Sequence, residues 1–237
     1  MKNKELIKQQ LAKRYWGEES KHYDYLRSKD SQRKYILERK TEIMKKFLGK
    51  SKGGNILDIA CGTGRFFYLY GKRKIYGIDI SRDQLKQAKK KDKKAILKIC
   101  NAEKLCFPPE KFNVVITSQF IEHIPQYAQV LKEMVRVCKK GGTLIIDFPN
   151  KYSLTYLPTK IRLFSGKLPY LNLFSKKEIQ AIAKKFNLKI IEWDYTVVIT
   201  PNIFPDFLTP FVKRLNFFLL RIIPQVGYLH YVKFRKK

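Results

Sequence analysis

The chain is 237 residues long, enough for one decorated domain that buries its own core without a disulfide or metal staple. Hydrophobic residues make up 44% and aromatics 14%, which excludes a largely disordered chain; 12 Gly and 10 Pro exclude collagen-like and low-complexity classes. The 50 Lys and Arg against 20 Asp and Glu leave a formal net charge of +30, spread along the chain rather than gathered into one basic arm. Such an excess fits a Lys-rich solvated surface, an anionic membrane surface or nucleic acid. Cys61, Cys100, Cys106 and Cys138 show no C-x-x-C spacing and no His-rich neighbourhood, so buried thiols are expected and no metal site. The opening Met-Lys-Asn-Lys-Glu lacks the apolar core of a signal peptide, and no uncharged apolar run reaches the roughly 18–20 residues of a spanning helix. The expectation is a cytoplasmic protein, soluble or attached to one membrane face.

In chain order, residues 1–14 read as a short polar helix and 15–29 as an irregular aromatic stretch carrying Tyr15, Trp16, Tyr23 and Tyr25. Asp30 or Ser31 can cap a helix running to about Leu48, which the glycines between 49 and 54 end. Strands and helices then alternate. Strands are predicted at 55–60, 74–80, 95–100, 112–117, 143–148 and 188–196, with a seventh at 228–234. Between them lie a helical turn at 65–70, a helix opened by the Ser81-x-x-Gln84 capping box and running to about Lys91, an amphipathic helix at 127–138 ended by Gly141 and Gly142, and a helix from the Ser175-x-x-Glu178 box to Phe186. This alternation implies an open parallel sheet with helices on both faces. Residues 149–174 and 199–226, rich in Pro, aromatics and Leu, break the rhythm. Both follow strands, so both leave the sheet at its carboxyl end, where ligands bind in such folds.

The strongest local signal is an apolar strand that runs through Asp58 into Gly62-Thr63-Gly64 and then into a helical turn. The glycines let the backbone bend tightly and approach a ligand, and the amides beyond them favour a negative group such as a carboxylate. Asp79 ends the next strand, where a carboxylate can accept both hydroxyls of a ribose. A third glycine is missing: Phe67 stands where dinucleotide-binding loops carry it, and Asp58 would face a diphosphate unfavourably. An acid at this point suits a ligand bearing an ammonium and a sulfonium.

Five segments in order, Asp58-Ile-Ala-Cys-Gly-Thr-Gly64, Gly77-Ile-Asp79-Ile-Ser81, Asn101-Ala-Glu103, the run from Phe112 to Ile124, and Lys140-Gly-Gly-Thr-Leu-Ile-Ile-Asp147, resemble the successive motifs of class I S-adenosylmethionine-dependent methyltransferases. The likeness is greatest to the branch with quinone and small-molecule O- and C-methyltransferases, and it covers residues 50–150. It implies a Rossmann-like α/β fold: a seven-stranded, mostly parallel sheet in the order 3-2-1-4-5-7-6. It also implies one domain over residues 1–237, divided into a helical cap (1–50), a cofactor-binding core (51–148) and substrate-side insertions at 149–174 and 199–226. The cofactor implied is S-adenosyl-L-methionine. Ala60, Cys61, Gly62 and Gly64 would pass beneath its methionine part, and Asp58 would hold the ammonium. Asp79 would take the ribose, with Ile80 against the adenine and Ala102 and Glu103 at the adenine edge. Ser118 and Gln119 would contact the methionine moiety. Asn101 departs from the usual Asp.

A sulfonium methyl is already activated, so alignment and exclusion of water supply much of the rate. A general base is needed only if the acceptor loses a proton; His123 and then Glu122 are the candidates, and capping of the next helix is the alternative for both. Arg65 can meet the cofactor carboxylate or be solvated, and Asp147 can touch substrate or finish its strand. Residues 207–223 follow a helical apolar stripe of Phe207, Phe211, Leu215, Leu219 and Ile222, joined by Leu208, Val212 and Phe218 and interrupted by Lys213, Arg214 and Arg221. A substrate lid, an interfacial membrane helix and a plain core or dimer helix all remain open for it. The acceptor expected is a small apolar or lipid-like molecule. An RNA acceptor is the rival, because charge and aromatics permit it, although the Asp/Asn-Pro-Pro-Tyr/Phe type of motif of base-methylating enzymes is replaced by Ser118-Gln119-Phe120-Ile121. A catalytically silent scaffold that binds the cofactor at a membrane is a third reading. Oligomeric state is left open.

Overall fold

The computed structural model describes residues 31–49, 53–153, 156, 171–199 and 205–237. The expected helix at 1–14, the aromatic stretch at 15–29 and most of 154–170 lie outside the described residues. Seven strands form one sheet in the order β3-β2-β1-β4-β5-β7-β6. They are β1 (Asn55–Ile59), β2 (Lys74–Asp79), β3 (Ile96–Ile99), β4 (Phe112–Thr117), β5 (Cys138–Pro149), β6 (Leu188–Tyr195) and β7 (Leu229–Lys236). β1 to β5 pair in parallel, and β7 runs antiparallel between β5 and β6. The described helices are α1 (Ser31–Leu48), α2 (Arg82–Lys91), α3 (Tyr127–Val137), α4 (Lys176–Lys185) and α5 (Thr209–Ile222).

Alternate residues of the strands feed two cores, as the two-residue period of a pleated strand requires. Ile56, Val114, Ile116 and Ile145 pack with Ile43, Met44 and Phe47 of α1 and with Leu85 and Ala88 of α2. Leu57, Val115, Leu144 and Ile146 pack on the other face with Leu131 and Met134 of α3 and with Ile179 and Ile182 of α4. A sheet covered on both faces reads in sequence as continuous apolar runs, and that made β1, β4 and β5 visible.

Local chemistry sets the departures from expectation. The Ser175–Glu178 box closes in both directions at the start of α4. At α2 only half the box forms: Ser81 accepts the amide of Gln84, while the Gln84 side chain is turned elsewhere. The turn expected over 65–70 is one short 3₁₀ segment at Phe67–Leu69. Gly141 and Gly142 do not end α3. They lie inside β5, at an irregularity where the pairing with β4 shifts between Phe112 and Val114, and Gly141 takes a left-handed φ of 69°. The chain therefore enters β5 at Cys138.

The connections that leave the carboxyl end of the sheet are fastened by asparagines. Asn150 donates through Nδ2 to the carbonyls of Gln225 and Gly227, at 2.7 and 2.8 Å. Asn172 donates to the carbonyls of Ile121 and Ile124, at 3.0 and 2.9 Å. Asn216 of α5 is wholly buried. Its Oδ1 accepts the amides of Val198 and Ile199, both at 2.8 Å, and its Nδ2 donates to the Ile199 carbonyl at 2.9 Å. Removing such a clamp leaves buried amides without partners. Asn216→Leu, close in size, is therefore expected to lower unfolding stability by about 2–4 kcal/mol in urea titration; a loss within measurement error would show that α5 is held by something else.

Candidate functional site

The carboxyl ends of β1, β2, β4 and β5 meet at one edge, because Asp58 pairs with Gly77 and Ile116, Ile59 with Thr117, and Thr117 with Ile146. Beyond β1 the backbone turns through left-handed φ values at Ala60 (54°), Gly62 (54°) and Gly64 (68°). Only glycine adopts such angles without cost, and alanine there stores strain. The bend is tied to β2. Cys61 donates its amide to the Ile78 carbonyl at 3.0 Å, and Gly62 donates its amide to Asp79 Oδ2 at 3.0 Å. The other oxygen of Asp79 accepts the Ser81 amide at 2.9 Å. The Ile80 amide also acts on this carboxylate, and the lone pairs left over can accept ligand hydroxyls.

The bend leaves no room for side chains. A Cβ at Gly64 would lie 2.7 Å from the Phe67 ring, and one at Gly62 would lie 3.0 Å from Gln84 Oε1. That oxygen is buried with no hydrogen-bond partner among the described residues, so the Gln84 side chain that did not close the helix cap presents an open acceptor to the bend. Cys61 points its thiol inward: a Cβ on Gly77 would meet its Sγ at 2.8 Å. Its backbone, not its sulfur, belongs to the site.

Asp58 lies under the bend and is buried. The Tyr70 hydroxyl donates to its Oδ2 at 2.5 Å. Burial pushes the Asp58 carboxyl up to about 7; the Tyr70 hydrogen bond opposes the shift and the charge of Asp79 adds to it. Burial also raises Asp79, against the pull of the Ser81 and Gly62 amides. Two acids at one sheet edge, both disfavoured as anions, form a site electrically matched to a cation. The bend, the orphan oxygen and the paired acids fit a ligand such as S-adenosylmethionine.

On the β2 side, Ile80 is 54% exposed next to Asp79 and offers an apolar surface for a flat ring. Ala102 is buried, Glu103 half-buried and Asn101 exposed; Asn101 Oδ1 accepts the Glu103 amide at 2.9 Å, an Asx turn that holds this loop. On the β4 side, Ser118 and Gln119 follow the strand, Gln119 with a left-handed φ of 55°. Both serve Asp147, which is buried at the end of β5: Ser118 Oγ donates to it at 2.7 Å and the Gln119 amide at 2.8 Å. Tyr231 lies 3.3 Å from Ser118 Oγ, and the buried Lys40 of α1 counters the rise that burial imposes on Asp147. Asp147 is thus an internal anchor for the strand end, the second of the two roles open to it.

Glu122 and His123 sit on a 3₁₀ turn, Ile121–His123, directly after this segment. Glu122 is buried and His123 half-buried, with 3.8 Å between Glu122 Oε1 and His123 Nε2. The turn is stapled by Asn172, which also donates its amide to the Glu122 carbonyl at 2.8 Å. Tyr70, Gln84, Lys40, Asn172 and Tyr231 were not among the candidates read from the sequence. Each is brought to the site by the fold, and no local spacing announces it. Among the described residues no group of His, Cys, Asp and Glu is placed to hold a metal ion.

The raised Asp58 carries a pH signature. Because the folded protein binds the proton more tightly than the unfolded chain, with its value near 3.8, this group contributes full stability below about pH 4 and loses it as the pH rises to about 7. Asp58→Asn removes that loss. It is expected to exceed the wild type by on the order of 2–4 kcal/mol at pH 8 and to match it within about 1 kcal/mol at pH 4, read by urea unfolding. A variant less stable than the wild type at pH 8 would contradict the buried-acid account.

Residues 57–146 match a family described as a methyltransferase domain. A demethylmenaquinone methyltransferase from Anoxybacillus flavithermus is 32% identical over 148 residues, 58% of this chain and 62% of that protein. A phosphatidylethanolamine N-methyltransferase from Cereibacter sphaeroides is 34% identical over 103 residues, 40% of this chain and 51% of that protein. The matched region thus spans between half and two thirds of these relatives' own length. Among solved structures, magnesium protoporphyrin IX methyltransferase from Synechocystis, with bound SAH, superposes with a TM-score of 0.69 at 14% identity, covering 97% of this chain and 100% of that one. That likeness shows the fold.

Proposed function

We propose, starting from the match of residues 57–146 to a methyltransferase-domain family, that this chain is a class I enzyme that moves the methyl group of S-adenosyl-L-methionine to an oxygen or carbon of an apolar or lipid-like small molecule. The observation that carries the reading is the glycine bend held between Asp58 and Asp79. The cofactor supplies a methyl group already activated on sulfur. Asp58 holds the ammonium end, the backbone of the bend from Ala60 to Gly64 passes beneath the methionine part, and Asp79 accepts the ribose hydroxyls. Ile80 packs on the adenine, with Asn101, Ala102 and Glu103 along its edge. Ser118 and Gln119 line the methionine side, their backbone fixed by Asp147. The reactive end of the cofactor then faces the carboxyl edge of β4 and β5, next to the turn that carries Glu122 and His123.

His123 takes the acceptor's proton where the acceptor is a hydroxyl, since an imidazole is suited to that task near neutral pH and this one is half-buried on the turn beside the carboxyl edge of β4. The apolar acceptor is supported by two curated relatives, whose names give demethylmenaquinone and phosphatidylethanolamine as what they act on. The protein works in the cytoplasm, at a membrane surface where such an acceptor resides.

Two outcomes follow. In calorimetry, S-adenosylmethionine is expected to bind the wild type, and Asp79→Ala to weaken binding by about tenfold or more through loss of two charge-assisted hydrogen bonds; absent binding, or undiminished binding by the variant, would remove the enzyme reading. In cell extract with methyl-labelled cofactor, label is expected in the lipid fraction, and His123→Ala is expected to slow its transfer to a hydroxyl acceptor by about 100-fold with little change in KM. Label in RNA would reverse the acceptor class, and no label anywhere would favour a cofactor-binding scaffold.

A further inference from the structure

The apolar stripe read along residues 207–223 does not behave as one face. Of its members only Val212 is buried, and it points inward together with Thr209 and Asn216. This narrow polar seam is what attaches α5 to the rest of the chain: Asn216 clamps the segment after β6, Thr209 Oγ1 lies 3.1 Å from Ser31 Oγ of α1, and Lys213 pairs with Glu38 of α1 at 3.2 Å. The large apolar side chains are on the outside. Phe207 is 78% exposed, Phe211 65%, Phe217 60%, Phe218 59% and Ile222 58%. Positions 207, 211, 218 and 222 repeat at helical spacing, so they form one continuous surface.

A soluble surface seldom gathers three phenylalanines and an isoleucine on one exposed helical face, and such a face marks an interaction site. The charge on it selects the partner. From Thr209 to Ile222 the helix carries no acidic residue, and Arg214 and Arg221 stand exposed within the aromatic face. The Arg221 guanidinium lies 4.2 Å from the centre of the Phe217 ring. The whole chain carries +30. A second copy of this chain would bring the same cations against themselves, whereas an anionic lipid surface satisfies both the aromatic and the basic groups. Among the described residues no helix is long and apolar enough to cross a membrane, so the helix would lie in the interface rather than span it.

We infer that the outward face of α5 and of the 3₁₀ turn before it (Asp206–Leu208), formed by Phe207, Phe211, Phe218 and Ile222 with Arg214 and Arg221, docks this protein on an anionic membrane surface. The inference deepens the proposed function, on which it rests for the apolar acceptor. α5 is joined to the carboxyl edge of the sheet, since Asn150 at the end of β5 holds the chain just beyond the helix. Docking through α5 therefore sets the acceptor side of the sheet beside the bilayer, from which a lipid-like acceptor enters.

Flotation on vesicles of phosphatidylglycerol mixed with phosphatidylcholine, against vesicles of phosphatidylcholine alone, tests this. The full chain is expected to float with the anionic vesicles and to remain behind with the neutral ones. Phe211→Ser combined with Phe218→Ser is expected to weaken partitioning by about tenfold or more, as is Arg214→Gln combined with Arg221→Gln. Neither pair touches Val212, Thr209 or Asn216. Unchanged calorimetric binding of S-adenosylmethionine identifies a folded variant, and the arginine pair decides the matter if the phenylalanine pair does not fold. A wild type that stays behind with anionic vesicles, or folded variants that float as well as it does, would overturn the inference. So would a concentration-dependent dimer of the wild type that the phenylalanine variant abolishes. A protein that binds the cofactor and does not float loses the docking surface and keeps the proposed reaction.

Discussion

The Asp79 carboxylate holds the site together. Its two oxygens take the amides of Gly62 and Ser81, and so fix the bend after β1 to the end of β2 and to the start of α2 at once. Backbone angles that glycine alone adopts freely are locked by that pairing, and the strain at Ala60 is held by the same contacts. The arrangement has an electrostatic cost. Asp58 must stay buried close to Asp79 with one strong hydrogen bond, from Tyr70, to steady it. A fold that keeps two acids in this position is poised to gain when a cation arrives, because the cation relieves a destabilisation already present in the free protein.

A second constraint works at the same edge. Parallel strands end there without turning back, so long connections must leave from it and be returned to it. Asn150, Asn172 and Asn216 do this by satisfying backbone groups of segments that have no ladder of their own. An asparagine offers a donor and an acceptor on a short stem and can close such a connection in a small volume. The result is a closely packed rear, formed by the sheet and its two cores, and a front whose elements hang on a few polar contacts. α5 is the extreme case: it is attached by a polar seam and turns its aromatic side outward.

The contrast explains how much could be read from residue order. The strands, their alternation with helices and the Ser175 cap depend on neighbours in sequence, and they were legible. The site's glycines and acids were legible as well, because Asp58, Gly62, Gly64 and Asp79 lie where a strand meets a bend. The contacts around the acids were not: Tyr70 reaches Asp58 and Lys40 acts on Asp147 through the fold, and the half-formed box at Ser81 leaves the Gln84 oxygen without a hydrogen-bond partner among the described residues. The stripe along α5 was seen and its orientation was not. Hydrophobic spacing reports that a face exists; it does not say whether protein or solvent lies against it. Likewise the glycine pair at 141 and 142 signalled a break, and the break proved to be inside a strand.

On the proposed function, Asp58, raised by burial to about 7, is largely neutral in the free protein at pH 6 and becomes an anion when the ammonium of S-adenosylmethionine reaches it. Calorimetry at pH 6 in buffers of different ionisation enthalpy measures that proton directly. Release of close to one proton per molecule bound is expected, vanishing in Asp58→Asn. Binding of the cofactor with no proton released, or with release undiminished in the variant, would contradict it.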